Sequence, residues 1–263
     1  MNSDPKKSLG QHWLHNDSVL SDIVDQASVN SQDTVIEIGP GLGTLTKKLL
    51  ETGASVIAIE FDQTLLAGLQ AKFSDYSNFT LINQDILKFD FTQHPSYKIV
   101  ANIPYYLTSQ LLRIIGDSLS VPSIAVLLVQ KEVAERVCAN PPDMSILSVA
   151  VQLEFTAKLG SVVPANMFTP PPKVDSQVLI LTKRTAPLNK EIPKKEFMQV
   201  VKAGFSAKRK TLRNTLSAGL VISKPRSEEI LKQAQVDMGL RAEALNLEQW
   251  YTLSKIVTEM HNT

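Results

Sequence analysis

Val35-Ile36-Glu37-Ile38-Gly39-Pro40-Gly41-Leu42-Gly43-Thr44-Leu45-Thr46 decides the fold. An apolar strand runs into a glycine-rich turn, and a helix-forming stretch follows. Glycine lets the turn be tight and lets a ligand approach the backbone closely. The spacing G-x-G-x-G is one residue shorter than the G-x-G-x-x-G that seats a dinucleotide pyrophosphate on a helix N-terminus. An acid, Glu37, stands two positions before the first glycine. An acid there suits a cationic ligand better than a pyrophosphate.

Around this segment, strand-like and helix-like stretches alternate. Strands are predicted over Thr34–Ile38, Ser55–Glu60, Phe79–Asn83, Lys98–Ala101, Ile124–Gln130, Val149–Glu154 and Gln177–Leu181. Several are nearly continuous apolar runs, as parallel strands buried on both faces require. Helices are predicted over Leu45–Glu51, Gln63–Phe73, Ser109–Gly116 and Glu132–Cys138. The alternation means a doubly wound α/β sheet with crossover helices. After Leu181 the pattern changes. Thr185–Pro193 reads as a linker, and Lys195–Phe205, Lys208–Ala218, Ser227–Val236 and Asn246–Met260 read as helices, with Ser227 and Asn246 as caps. The expected division is a sheet domain over residues 1–184 and a small helical domain over 185–263.

The chain has 263 residues, 43% of them hydrophobic, enough for a sizeable core. The opening MNSDPKKSLGQHWLH has a positive stretch but no apolar segment of signal-peptide type. No apolar run reaches membrane-spanning length. Cys138 stands alone and there are four His, which argues against a disulfide or a zinc cluster. The expectation is a soluble cytoplasmic protein without a metal. The net charge of +1 argues against a nucleic-acid partner, but its distribution does not. Residues 183–263 hold 15 Lys and Arg against 8 Asp and Glu, and residues 1–182 hold 12 against 18. Such asymmetry marks either an interaction surface at the basic end or a solvated helical tail.

S-adenosylmethionine, with its sulfonium and ammonium, fits the glycine turn behind Glu37. Glu60 ends the second strand, where a carboxylate accepts from both ribose hydroxyls. Asp85 follows the third strand and can accept from the adenine amino group, with Ile86 packing on the ring. The deciding motif is Asn102-Ile103-Pro104-Tyr105, directly after the fourth strand. An aromatic amine is a poor nucleophile because its lone pair is delocalised into the ring. The Asn102 side-chain oxygen and the Ile103 carbonyl each accept from such an amine and stabilise the charge that develops on it. Pro104 stiffens the turn, and Tyr105 offers a ring on which an extruded adenine can stack.

Two flanking segments fit. Ser8–Leu14 precedes the first helix as a candidate lid over the cofactor. Phe168 opens a proline-rich loop, Phe168–Ser176, as the second face of an aromatic sandwich around the flipped base or simply as a buried anchor. Lys208, Arg209, Lys210 and Arg213 crowd one or two helical turns. They suit phosphate contact, with a solvated helix face as the alternative.

Together, KKSLGQHWL, EIGPGLGTLT, NIPYYLTSQLL, LLVQKEVAERV, FTPPPKVDS and FSAKRKTLRN closely resemble the ribosomal RNA adenine dimethyltransferase family, in its small-subunit branch, over nearly the whole chain. The resemblance implies a Rossmann-like, seven-stranded S-adenosylmethionine-dependent methyltransferase sheet with a small C-terminal all-α domain. It implies N6,N6-dimethylation of two adjacent adenines in a hairpin near the 3′ end of 16S rRNA, within the small (30S) ribosomal subunit, by a monomer. It carries cofactor contacts to His12, Leu14, Gly39, Glu60, Asp85 and Asn102; the reading of the glycine turn adds Glu37, Gly41 and Ile86. Trp13 stands where the family usually has Phe, and His12 where it often has Asn. The alternatives are a large-subunit RNA methyltransferase conferring antibiotic resistance, an assembly factor with secondary methylation, and a nicotinamide oxidoreductase, which the glycine spacing and Asn102–Tyr105 disfavour.

Overall fold

The computed structural model describes residues 5–6, 9–186, 188 and 191–261. The strands are β1 (Trp13–Leu14), β2 (Thr34–Ile38), β3 (Ser55–Glu60), β4 (Phe79–Asn83), β5 (Lys98–Asn102), β6 (Ile124–Gln130), β7 (Phe155–Val163), β8 (Phe168–Thr169) and β9 (Ser176–Lys183). The helices are α1 (Asp17–Gln26), α2 (Thr44–Glu51), α3 (Gln63–Lys72), α4 (Thr108–Asp117), α5 (Lys131–Val137), α6 (Ile146–Gln152), α7 (Lys194–Gly204), α8 (Leu212–Gly219), α9 (Lys224–Gln233) and α10 (Leu247–His261). Seven strands form one sheet in the order β4-β3-β2-β5-β6-β9-β7, and β1 pairs with β8 separately. Strands β2 to β6 run parallel, and β9 returns antiparallel to β6. In β2, β3, β5 and β6 most Val, Ile, Leu and Ala side chains are buried because helices cover both faces, whereas those of the edge strand β4 are half-buried. The order reverses between β2 and β5. In an open α/β sheet such a switch point leaves a crevice at the carboxyl ends of the strands, where ligands bind.

Two compact units result. One holds the residues up to Ala134 with Thr156–Lys183, and the other holds Glu135–Phe155 with the chain from Arg184 onward. The second is all helical and has its own core, in which Met144, Val149 and Leu153 pack with Phe197, Leu212, Leu231 and Trp250. Segment 135–155 therefore belongs with the helical unit, whereas the expected division left it with the sheet. Val149–Glu154, read from the sequence as a strand, lies largely in helix α6 (Ile146–Gln152). Ser145 starts it: its hydroxyl accepts from the Ser148 N–H at 3.1 Å, and the Ser148 hydroxyl accepts from the Ser145 N–H at 2.7 Å. A short apolar run fits a buried helix as well as a strand, and the cap decides.

The strand that completes the sheet is β7, at an edge. Its side chains are mostly exposed, and Lys158, Gly160 and Ser161 interrupt its apolar residues, so no apolar run announces it. In the helical unit Ser223, not Ser227, caps α9; Ser227 is buried and donates to the Arg213 carbonyl at 2.9 Å. Asn246 caps α10 as expected, accepting from the Gln249 N–H at 2.9 Å while the Gln249 side chain accepts from the Asn246 N–H at 3.0 Å. Helix α8 begins at Leu212 instead of Lys208. Pro187, Asn189 and Lys190 of the expected linker, and Ser8 of the expected lid, lie outside the described residues.

Candidate active site

The turn after β2 is made by three left-handed glycines, Gly39 (φ 66°), Gly41 (φ 58°) and Gly43 (φ 73°). One of them also needs to lack a side chain: a Cβ at Gly43 would sit only 2.5 Å from the Phe73 ring, whereas one at Gly41 would meet the Trp13 indole at an ordinary contact distance of 3.4 Å. The turn is thus pressed between the N-terminal segment and the end of α3, and α2 starts directly behind it.

Four acids surround this turn. Glu37, on β2, is wholly buried, and its Oε2 has no hydrogen-bond partner. Burial pushes its carboxyl up to about 8; the negative charge of Glu60 acts in the same direction and Lys72 in the opposite one. Glu60, at the end of β3, accepts from the Asp62 N–H at 2.7 Å and from the Gly41 N–H at 3.2 Å. Burial still leaves its carboxyl above the usual range. A carboxylate offers about four acceptor positions, so these backbone N–H groups do not exhaust it. Asp85, after β4, accepts from the Leu87 N–H at 3.0 Å through one oxygen. Asp62 caps α3 and holds the N-terminal segment: Lys6 donates to it at 2.7 Å and Gln11 at 3.2 Å. Burial alone would raise the Asp62 carboxyl, but the bonds from Lys6 and Thr64 outweigh it and hold it at about 2.

At the end of β5 the Asn102 amide donates to the His12 carbonyl at 3.1 Å, which leaves Oδ1 as the acceptor. Ile103 is buried and its N–H is bound to the Leu128 carbonyl at 3.1 Å. Pro104 then turns the chain into the short helical turn Tyr105–Leu107. The Tyr105 hydroxyl lies 2.8 Å from the Ser176 hydroxyl at the start of β9. The N-terminal segment crosses over these residues. Leu14 pairs with Phe168 and Trp13 with Thr169, and Thr44 of α2 donates to the Leu14 carbonyl at 3.1 Å.

Thus His12, Leu14, Glu37, Gly39 and Gly41 come together with Glu60, Asp85, Ile86 and Asn102–Tyr105, all lining one cavity of about 230 Å³. Phe168 is not among them. It is 3% exposed and packs with Leu14, Leu20 and Leu45 in the core of the sheet unit. Its ring is enclosed here and does not face the cavity, in keeping with the alternative reading of a buried anchor for the loop. The basic group also differs from expectation. Lys208, Arg209 and Lys210 are exposed in the turn between α7 and α8, not on a helix, while Arg213 on α8 is paired with Glu228 at 3.0 Å.

Among the cavity residues without a sequence expectation are two exposed aromatics. Phe61 and Tyr106 are 61% and 58% exposed, so each presents a ring to the rim. Their only sequence signal is adjacency, Phe61 following Glu60 and Tyr106 following Tyr105.

A parallel sheet with an antiparallel return, a glycine turn backed by a buried acid, and an Asn-Ile-Pro-Tyr turn at the neighbouring strand tip define a methyltransferase. Residues 2–259 match the family model for Ribosomal RNA adenine dimethylase. The chain belongs to that family. A Ribosomal RNA small subunit methyltransferase A from Dehalococcoides mccartyi is 40% identical over 97% of this chain and 89% of its own length. One from Clostridium botulinum is 41% identical over 97% and 94%. Among solved structures, a dimethyladenosine transferase from Plasmodium falciparum superposes with a TM-score of 0.81 at 27% identity, over 95% of this chain and 98% of that one. The 23S rRNA methyltransferase ErmE gives 0.76 at 25%, over 94% and 99%.

Proposed function

We propose that this enzyme transfers methyl groups from S-adenosylmethionine to N6 of adenine in ribosomal RNA, and that it dimethylates two adjacent adenines in a hairpin near the 3′ end of 16S rRNA within the small subunit. The observation that carries the reading is Asn102, with its amide nitrogen donating to the His12 carbonyl and its oxygen left over, at the switch-point cavity beside Tyr105. When bound, S-adenosylmethionine supplies an electrophilic methyl group on a sulfonium. The residues present fit it. Glu37 is a buried acid with an unpartnered oxygen, suited to the ligand's ammonium. Glu60 suits the ribose hydroxyls, Asp85 and Ile86 the adenine, and the backbone at Gly39, Gly41, His12 and Leu14 the rest.

The chain's own groups then act on the amine. Asn102 Oδ1 and the Ile103 carbonyl accept from N6 and draw it toward tetrahedral geometry. They stabilise the positive charge as it appears, and a preorganised acceptor does so without reorienting. The methylated nitrogen is acidic enough to lose its proton to water, so no strong base is required. Tyr105 holds the extruded ring.

Glu37 gives a test of the cofactor reading through pH. Its carboxyl, raised to about 8, is mostly protonated at pH 7 in the free protein. An ammonium stabilises the ionised form, so binding releases a proton. Affinity for S-adenosylhomocysteine is therefore expected to rise with pH up to about 8 and then level off, and Glu37→Gln is expected to abolish that slope. Titration calorimetry in two buffers of different ionisation enthalpy counts the proton; finding none released at pH 7 would remove Glu37 from the ammonium site.

The helical unit supplies RNA contact in this reading, through Lys208, Arg209 and Lys210. Neutralising the three is expected to lower the slope of log affinity against log salt by about 0.7–0.9 per charge. Arg213→Ala adds little, because Glu228 already neutralises it. Equal slopes in variant and wild type would make the turn a solvated surface. The enzyme acts as a monomer in the cytoplasm in this reading, and among the described residues no helix is long and apolar enough to cross a membrane. The test of function is methyl transfer to under-methylated small subunits, with mass spectrometry of the nucleosides. N6,N6-dimethyladenosine in 16S rRNA is expected; methylation of large-subunit RNA instead would overturn the assignment.

A further inference from the structure

His12 makes three contacts that cofactor binding does not explain. Its Nδ1 lies 2.7 Å from the Pro170 carbonyl oxygen. A carbonyl can only accept, so Nδ1 carries the hydrogen. Its ring stacks on Tyr105, with centroids 5.6 Å apart and planes 26° from parallel. Its backbone carbonyl accepts from the Asn102 amide at 3.1 Å. The three partners come from the end of β5, the turn after it and the loop after β8, and His12 is where they meet.

Tyr105 is also tied at its tip, by the Ser176 hydroxyl at 2.8 Å. With the tip held and the imidazole in offset stacking against it, the ring is fixed where it lines the cavity. Asn102 is constrained in a similar way. An amide can present either its oxygen or its nitrogen in one place, and the bond to the His12 carbonyl selects which. We infer that His12 is a positioning residue for methyl transfer, backing the Tyr105 ring and orienting the Asn102 amide before RNA arrives. The inference rests on the roles of Asn102 and Tyr105 proposed above. Its physical basis is that a group already held in the productive geometry needs no reorganisation during reaction.

The side chain is testable apart from the backbone, because every substitution keeps the carbonyl that binds Asn102. His12→Asn can still donate to Pro170 but has no ring. His12→Phe has the ring but no hydrogen to donate. His12→Ala has neither. Each is compared with wild type, and again in a Tyr105→Ala background, by single-turnover methyl transfer to under-methylated small subunits at saturating S-adenosylmethionine. Affinities for S-adenosylhomocysteine and RNA, and thermal melts, are measured separately.

His12→Ala is expected to slow transfer by about ten-fold with both affinities nearly unchanged. His12→Phe should recover more of the rate than His12→Asn. In the Tyr105→Ala background His12→Ala should cost nothing further, because the ring it supports is gone. If His12→Ala melts early, the same comparison is made with His12→Asn, which keeps the Pro170 bond. Equal slowing in both backgrounds, or a loss seen as weaker S-adenosylhomocysteine binding at unchanged rate, would overturn the positioning role. A wild-type enzyme that methylated no adenine would instead overturn the proposed function.

Discussion

Asn102→Ala is expected to slow methyl transfer by about 100- to 1,000-fold at saturating cofactor, with RNA affinity nearly unchanged. The asymmetry follows from what Asn102 does. Its oxygen meets N6 both before and during reaction, but the bond strengthens only as positive charge builds on nitrogen. An interaction that grows toward the transition state appears in the rate and hardly in ground-state affinity. The structure adds a second consequence. Alanine also removes the donor to the His12 carbonyl, one of the bonds holding the N-terminal segment over the cavity. Cofactor affinity should therefore fall as well, which is why the rate must be read at saturation. A rate that returned to normal once cofactor was saturating would make Asn102 a lid anchor and not an acceptor.

Tyr105→Ala is expected to be the second most damaging change, about ten- to a hundred-fold in single-turnover rate. Base stacking on an aromatic ring contributes about 1–3 kcal/mol, and alanine leaves the extruded adenine without a platform. Tyr105→Phe keeps the ring and should keep most of the rate. It does lose the hydrogen bond to Ser176, a net loss of about 0.5–1.5 kcal/mol, so a small drop in melting temperature is expected with little change in rate. The phenol is not a base here. Burial raises it above the usual tyrosine range, against the opposing effect of the Ser176 bond, so it stays protonated at neutral pH. If Phe were as damaging as Ala, the hydroxyl would be the working part and stacking would be the wrong role.

The candidate site was largely legible because its residues sit where local rules apply. Glu37, Glu60, Asp85 and Asn102 lie at or near the carboxyl ends of β2, β3, β4 and β5, and the strands themselves are apolar runs that stand out from their neighbours. In a doubly wound sheet those ends share one crevice, so the topology alone gathers residues far apart in the chain. The errors came where burial is a tertiary matter. Phe168 looks the same in sequence whether it faces a cavity or a core, and only its pairing with Leu14 puts it inside. Val149–Leu153 is apolar enough for a strand, yet Ser145 caps a helix there and the segment packs with α7. Strand β7 mixes polar residues with apolar ones on an exposed edge, where alternation is weak.

The residue string by itself determined the parallel strands, the tight glycine turn, the placement of Asn102–Tyr105 at the tip of β5 and the basic character of the second unit. Each depends on side-chain type and on spacing within a few residues, which local sterics and periodicity translate directly into structure. The folded chain alone decided which groups remain available. It buried Glu37 and raised its carboxyl, enclosed Phe168, paired Arg213 with Glu228, and set His12 among Asn102, Tyr105 and Pro170. Those outcomes depend on contacts between residues up to 158 positions apart, whose desolvation and hydrogen bonding exist only once the sheet and the N-terminal segment have closed on each other.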